Sequence, residues 1–256
     1  MIDPRAIVAP GAQLAADVEV GAFSIIGPDV SIGPGTWIGP HVVITGHTQI
    51  GAGNRIYQFA SIGDAPQDKK YDGAPTRLVI GDRNVIREFC TINRGATPEL
   101  GLTRIGNGNL LMATTHVAHD CVIGDHTIMV NNSSIAGHVE LGDWAILGGY
   151  SGAHQFCKIG AHAFIANNTA VTRDVPPYVL ATGQPAVPHS INSEGLRRRG
   201  FSAEQIRNLR EAYRILYRSD LPLAEATRQL TELAASQPEL VPLVEFIAGS
   251  TRSLIR

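Results

Sequence analysis

Every sixth residue of this chain is aliphatic over long stretches. The register runs from Ile2 through Val8, Leu14, Val20, Ile26, Ile32, Ile38, Ile44, Ile50 and Ile56 to Ile62, eleven residues without a break. It resumes at Ile80, Ile86 and Ile92, shifts by one residue, and runs again from Ile105 to Val171. A period of six fits neither a helix nor one long alternating strand. It fits a parallel β-helix, in which each hexapeptide is a short strand and a corner. The aliphatic residue fills the interior. Gly often follows it, as in Val20-Gly21, Ile32-Gly33 and Ile123-Gly124, where a small residue is expected to let the chain turn. Three hexapeptides close one coil, so residues about 18 apart stack at the spacing of paired strands, roughly 4.8 Å.

The expected architecture is mainly β: a parallel β-helix over residues 1–186, then a small α-helical domain over 187–256. Two segments break the register, 64–77 and 95–104. Both are rich in Pro, Gly and charge, and read as loops projecting from the prism. After Pro185 the pattern becomes helical. Ser202 is placed to cap a helix whose apolar stripe is Ile206, Leu209, Tyr213 and Leu216. Further helices are expected from about Leu221 and Glu239.

Composition limits the function classes. A net charge of −2 over 256 residues is too neutral for a nucleic-acid binder. No apolar run approaches the roughly 20 residues of a membrane span, and the N-terminus lacks signal-peptide character. Cys90, Cys121 and Cys157 form no CxxC and read as reduced thiols, so the expected location is the cytoplasm.

The chemistry concentrates in His116-Val117-Ala118-His119-Asp120-Cys121. By the 18-residue rule His119 stacks on Gly137 and then Gln155, and Asp120 on His138. Thus His119, Asp120, Gly137, His138, His154 and Gln155 converge on one edge of three coils. A His is the usual general base near neutral pH, a neighbouring carboxylate can orient it, and a Gly N–H can bind a developing oxyanion. These are the parts that acyl transfer requires. The bland alternative is a set of solvated corner residues. A metal site is the other chemical reading, but His116 and His119 lie half a strand-repeat apart and suit a shared ion poorly within one chain, so no metal is expected. Beyond the coil, Arg197-Arg198-Arg199 follows Asn192 and Glu194. Guanidinium forks suit a diphosphate, though a basic surface turn looks the same in sequence.

Together these segments closely resemble the bacterial UDP-N-acetylglucosamine O-acyltransferases, which open lipid A biosynthesis. The resemblance spans the whole chain. It rests on Ile56-Tyr57-Gln58-Phe59-Ala60-Ser61-Ile62-Gly63, His119-Asp120, Gly137-His138, His154-Gln155-Phe156-Cys157, Asp174-Val175-Pro176-Pro177-Tyr178-Val179 and Arg198-Arg199-Gly200-Phe201. It implies a left-handed parallel β-helix, against the usual crossover hand, and a homotrimer with active sites between subunits. The implied substrates are UDP-N-acetylglucosamine and an (R)-3-hydroxyacyl chain on acyl carrier protein, with no cofactor. His119 then corresponds to the base for the sugar 3-hydroxyl, Asp120 to its orienting partner, and the Gly137 N–H to the oxyanion donor. Asp68, Lys70, His116, His138, His154 and Gln155 match substrate-contacting positions. Asn192, Glu194, Arg198 and Arg199 match the nucleotide and diphosphate contacts.

Two departures stand out. Asn93 replaces the His of the usual TIHRG. At the acyl-length position, often Gly, the chain has Asn167, about 13 Å along the axis from His119. That distance corresponds to about ten carbons, and an unpaired amide there would disfavour longer chains, giving a preference for about ten to twelve carbons. Rival readings are the related transferase that acylates a sugar amine, a non-enzymatic solenoid, and a γ-type carbonic anhydrase. The first carries a separate domain before its repeats, whereas here they begin at Ile2. The second would carry Thr ladders, and the third would require a metal.

Overall fold

A computed structural model of the chain describes residues 1–96 and 101–256. Among these residues the hexapeptides form a parallel β-helix of three sheets. The first sheet has nine strands, from Ile7–Val8 to Ala170–Val171, and the second eight, from Gln13–Leu14 to Lys158–Ile159. The third begins at Glu19–Val20, reaches Phe164–Ile165, and ends with Val179–Thr182 and Val187–Ile191. Regular coils pair residues 18 apart, such as Ile7 with Ile25 and Ile32 with Ile50. The two insertions stretch that separation: Ile80 pairs with Ile50, 30 residues back, and Ile105 with Ile80, 25 residues back.

The sixfold residues are the core. Ile26, Ile38, Ile44, Ile56, Ile62, Ile86 and Ile92 are fully buried, each worth about 1.5–3 kcal/mol relative to exposure. A polar ladder runs beside them. Asn84 donates its N–H to the side-chain oxygen of Asn54 (2.9 Å), Asn109 to that of Asn84 (2.9 Å), and Thr127 to that of Asn109 (2.7 Å). The corner backbone therefore stays hydrogen-bonded although it is buried.

The glycine beside the core residue serves another purpose than the expected one. Gly33 does not adopt a left-handed φ. A Cβ there would lie 2.7 Å from the Gly51 carbonyl carbon of the next coil, so Gly permits close approach of coils. The left-handed turn falls three positions after the core residue, on Gly35 (φ 67) in this coil but elsewhere on larger residues, among them Phe23 (φ 62), Asp120 (φ 56), His138 (φ 61) and Phe156 (φ 65). Each of these larger residues costs roughly 1–2 kcal/mol, and stacking along the edge offsets part of it. The rings of Phe23, His41, Phe59 and Phe89 stack with centroids 5.1–5.3 Å apart.

The first loop leaves the strand Ser61–Asp64 and returns at Arg77–Ile80. Arg94 pins it, with Nη1 donating to the Gly63 carbonyl (2.9 Å) and Nη2 to the Tyr71 hydroxyl (3.0 Å). The second loop is shorter than expected, because the strand Leu102–Ile105 begins inside the 95–104 segment and pairs with Arg77–Ile80. Residues 97–100 lie outside the described residues.

The expected boundary at 186 falls inside an antiparallel hairpin, Val179–Thr182 with Val187–Ile191, which prolongs the third sheet. Helices follow only from α1 (Ser193–Arg198), which the apolar periodicity does not reveal. Next come α2 (Ala203–Tyr217), α3 (Leu223–Ala234) and α4 (Val241–Ala248). Ser202 caps α2 as expected, in a capping box with Gln205. The helices enclose a second core around Leu196, Leu209, Leu230 and Leu240.

Candidate active site

The strand His116–Val117 ends at a corner whose next two residues in sequence after Ala118 are His119 and Asp120. Asp120 occupies the left-handed turn position, and its side chain is completely buried. Its Oδ2 accepts the Ala96 N–H at 3.0 Å and its Oδ1 the Leu102 N–H at 3.3 Å, while its own N–H donates to Thr103 Oγ1 at 2.9 Å. Backbone groups on either side of residues 97–100 thus hold this carboxyl group. His119 Nδ1 lies 3.0 Å from the same Oδ2. Since both oxygens already act as acceptors, the imidazole donates from Nδ1 and keeps its lone pair on Nε2.

Gly137 stacks on His119 as the 18-residue rule requires; the His138 N–H donates to the His119 carbonyl at 3.1 Å. A Cβ at Gly137 would lie 2.5 Å from His119 Cε1 and 2.7 Å from Nε2. The ring therefore rests directly on the glycine. Among the described residues the Gly137 N–H meets no acceptor. His119 Nε2 faces Asp68 of the first loop, with 3.9 Å to Oδ2. That gap exceeds a hydrogen bond.

His116, His119, Gly137, His154 and Gln155 all line an open cavity of about 610 Å³ on the outer face of the first sheet. His138 stands behind, edge-on to His119 with ring centroids 5.2 Å apart and its Nε2 3.8 Å from Asp120 Oδ2. His116 Nδ1 pairs with Thr91 Oγ1 at 2.7 Å, and burial pushes its pKa below the usual imidazole value. Burial dominates because no carboxylate offsets it.

Four groups the sequence reading did not assign also belong here. Thr91 is one, because the second insertion places it 25 residues from His116 instead of 18. Gln67 and Tyr150 line the cavity, and no spacing rule singles them out. Asn93, noted only as a departure, also lines it and donates from Nδ2 to the Ala65 carbonyl at 3.0 Å.

Other expected residues are not drawn into this cavity. Lys70 has an exposed side chain; its backbone N–H donates to Asp68 Oδ1 at 2.9 Å and shapes the loop. Asn167 is exposed at another corner, outside the cavity lining, and its Oδ1 accepts the Gly149 N–H at 2.9 Å. The expectation of an unpaired amide there is therefore corrected.

Asn192, Glu194, Arg198 and Arg199 gather on a different corner, between the second and third sheets. Asn192 caps α1 and donates from Nδ2 to the His162 carbonyl at 3.0 Å. Glu194 pairs with Arg197 and accepts from Arg198 Nε at 3.0 Å. Arg199 lies over the Trp144 ring, 5.3 Å from its centroid, with Nη1 3.3 Å from His162 Nδ1. Burial, and then the Arg199 charge, pull His162 down to about 4. His162 is thus neutral at pH 7, and its Nδ1 accepts from the guanidinium.

Among the described residues, His119, Asp120 and His138 could hold a metal ion, since their ligand atoms lie within 4.8 Å of one another. Their chemistry fits one poorly, because both Asp120 oxygens and His119 Nδ1 already bond within the protein.

Comparison with known proteins decides the family. The chain is 58% identical to the acyl-(acyl-carrier-protein)–UDP-N-acetylglucosamine O-acyltransferase of Thiobacillus denitrificans, over 100% of this chain and 99% of that protein. The chain belongs to this O-acyltransferase family. The Stutzerimonas stutzeri relative of the same name is 57% identical, over 100% and 99% of the two chains. The solved structure of LpxA from Acinetobacter baumannii superposes with a TM-score of 0.97 at 47% identity, covering 100% of this chain and 99% of that one. The UDP-N-acetylglucosamine O-acyltransferase of Moraxella catarrhalis gives 0.97 at 45%, with the same coverage. Residues 29–64 and 102–137 match the bacterial transferase hexapeptide family, and 174–255 match the family described as UDP N-acetylglucosamine O-acyltransferase, domain 2. No described helix is long and apolar enough to cross a membrane.

Proposed function

We propose that this protein transfers an (R)-3-hydroxyacyl chain from acyl carrier protein to the 3-hydroxyl of UDP-N-acetylglucosamine, the first step of lipid A biosynthesis. The observation that carries the mechanism is the His119 ring seated between Asp120 and Gly137, inside a full-length likeness to enzymes of that name. Asp120 fixes the tautomer with Nε2 open. A sugar hydroxyl entering the 3.9 Å gap between His119 Nε2 and Asp68 can meet both groups. Nε2 takes its proton as the oxygen attacks the thioester carbonyl, and the Gly137 N–H receives the oxyanion. Collapse expels the carrier thiolate, which takes the proton back from His119. Mass spectrometry of purified protein with UDP-N-acetylglucosamine and a series of acyl carrier proteins tests the reading directly. Absence of a 3-O-acyl product with every chain length would sink it.

The nucleotide is assigned to Asn192, Glu194, Arg198 and Arg199. These lie on a different prism corner from His119, which supports a homotrimer whose sites combine two subunits. Arg199→Ala should raise KM for the UDP-sugar about tenfold and change kcat far less, as loss of a charged hydrogen bond does. A kcat loss at unchanged KM would reassign the residue to the chemistry. Mixed trimers of Arg199→Ala and His119→Ala chains should regain activity that neither variant has at low sugar concentration. No regain would place both groups of one site on the same chain.

Activity should survive EDTA, with purified protein holding well under one metal per chain. Stoichiometric metal lost together with activity would instead assign His119, Asp120 and His138 as ligands. For chain length, only the bulk of Asn167 remains as an argument, held in place by Gly149. Wild type should prefer about ten to twelve carbons, and Asn167→Gly should accept longer chains. An unchanged profile in the variant would move the limit to another residue.

A further inference from the structure

The C-terminal tail does not end on the helices. It returns to the coil, where fully buried Asp174 gathers it. Asp174 Oδ2 accepts the Ser250 hydroxyl at 2.7 Å and the Thr251 and Arg252 N–H groups at 3.2 Å each. The Asp174 N–H donates to the Ser253 carbonyl, and the Ile255 N–H to the Asp174 carbonyl, both at 2.9 Å. Ile255 is buried in the coil core.

This clamp sets the Arg252 guanidinium over the Phe156 ring, 5.7 Å from its centroid. Phe156 is 47% exposed, so its surroundings alone do not fix it. One of its faces carries the His138 ring, 4.5 Å away and tilted by only 10°, which leaves the other face for Arg252. His138 in turn stands edge-on to His119. Both imidazoles reach toward Asp120 Oδ2, His119 at 3.0 Å and His138 at 3.8 Å.

We propose that Arg252 is a positioning residue: its cation holds Phe156 flat on His138, which keeps His138 from displacing His119 on Asp120. The inference rests on the reading of His119 as the base. A ring between a cation and a second ring is held on both faces. With Arg252 truncated, Phe156 and His138 gain freedom together. A His138 that swings toward Asp120 Oδ2 takes the hydrogen bond that keeps the His119 lone pair on Nε2. Arg252 meets no substrate in this scheme, and His138, expected as a substrate contact, stands behind the cavity and does not line it, so the loss of Arg252 should appear in kcat and not in KM.

The test compares Arg252→Ala, Arg252→Lys, Phe156→Leu and the Arg252→Ala/Phe156→Leu double variant in the full chain. Tail anchoring uses the backbone of Arg252, so these variants should fold with little change in Tm. Arg252→Ala should lower kcat about fivefold, with both KM values within about twofold. Lys should restore most of the rate. Phe156→Leu should cost about as much as Arg252→Ala, and the double variant no more than Phe156→Leu alone. Independent multiplication of the two losses, no rescue by Lys, or a loss carried by KM would each overturn the proposal. Imidazole nitrogen NMR of the resting protein separates this inference from the proposed reaction. His138 signals should broaden in Arg252→Ala whatever His119 does, and sharp, unshifted signals would refute the positioning role. A fully active His119→Ala would refute the base instead.

Discussion

His119→Ala should lose at least about 10²–10⁴-fold in kcat while remaining folded. The ring removed is nearly buried, yet what it leaves behind is tolerable. Asp120 Oδ2 still accepts the Ala96 N–H at 3.0 Å, and Oδ1 the Leu102 N–H at 3.3 Å. No buried charge is left without a hydrogen bond, which is the usual route to severe destabilisation. The vacated space opens onto the cavity and can take up water. Asp120→Ala would be a worse experiment, since it strips those backbone N–H groups of their acceptor and confounds folding with catalysis. The measurements are kcat at saturating substrates, Tm, and mass in solution. A variant keeping more than about a tenth of wild-type kcat would remove His119 from the role of base.

Much of this site was legible because the solenoid turns sequence distance into spatial distance. Wherever coils are regular, a residue finds its neighbour 18 positions on, and so His119, Gly137 and Gln155 could be stacked on paper. The rule fails at insertions. Thr91 supports His116 across a separation of 25, and Ala96 reaches Asp120 across 24, whereas Leu102, at the start of a strand, stands the regular 18 away. The rule also separates corners. Asn167 is two coils and two further hexapeptides from His119, so axial height alone joins it to the expected acyl groove; it occupies another edge, where its Oδ1 accepts the Gly149 N–H. Helix α1 escaped for a different reason: six residues show too little apolar periodicity, and its signal is the Asn192 cap. The glycines were found but misread. Composition marks where a side chain is excluded, not whether φ or a neighbouring coil excludes it.

Gly137 shows the same distinction and offers the sharper of the two tests. Gly137→Ala should lower kcat about a hundredfold although the backbone accepts alanine without strain. The residue does not have a left-handed φ, so a Cβ costs nothing in conformation. The backbone N–H survives the substitution, so the oxyanion donor remains. What changes is space: the new methyl would sit 2.5 Å from His119 Cε1 and 2.7 Å from Nε2, against ordinary carbon contacts of about 3.5–4.0 Å. The imidazole must retreat by about 1 Å, and its 3.0 Å contact with Asp120 Oδ2 cannot survive that shift unchanged. A misplacement of about 1 Å at a reacting group typically costs about 10²-fold. KM for the UDP-sugar should change little, because the nucleotide contacts lie on another corner. A Gly137→Ala enzyme with kcat within about threefold of wild type would mean that the His119 ring need not sit where the structure puts it. A loss matched by a fall in Tm of more than about 8 °C would trace the effect to the fold instead.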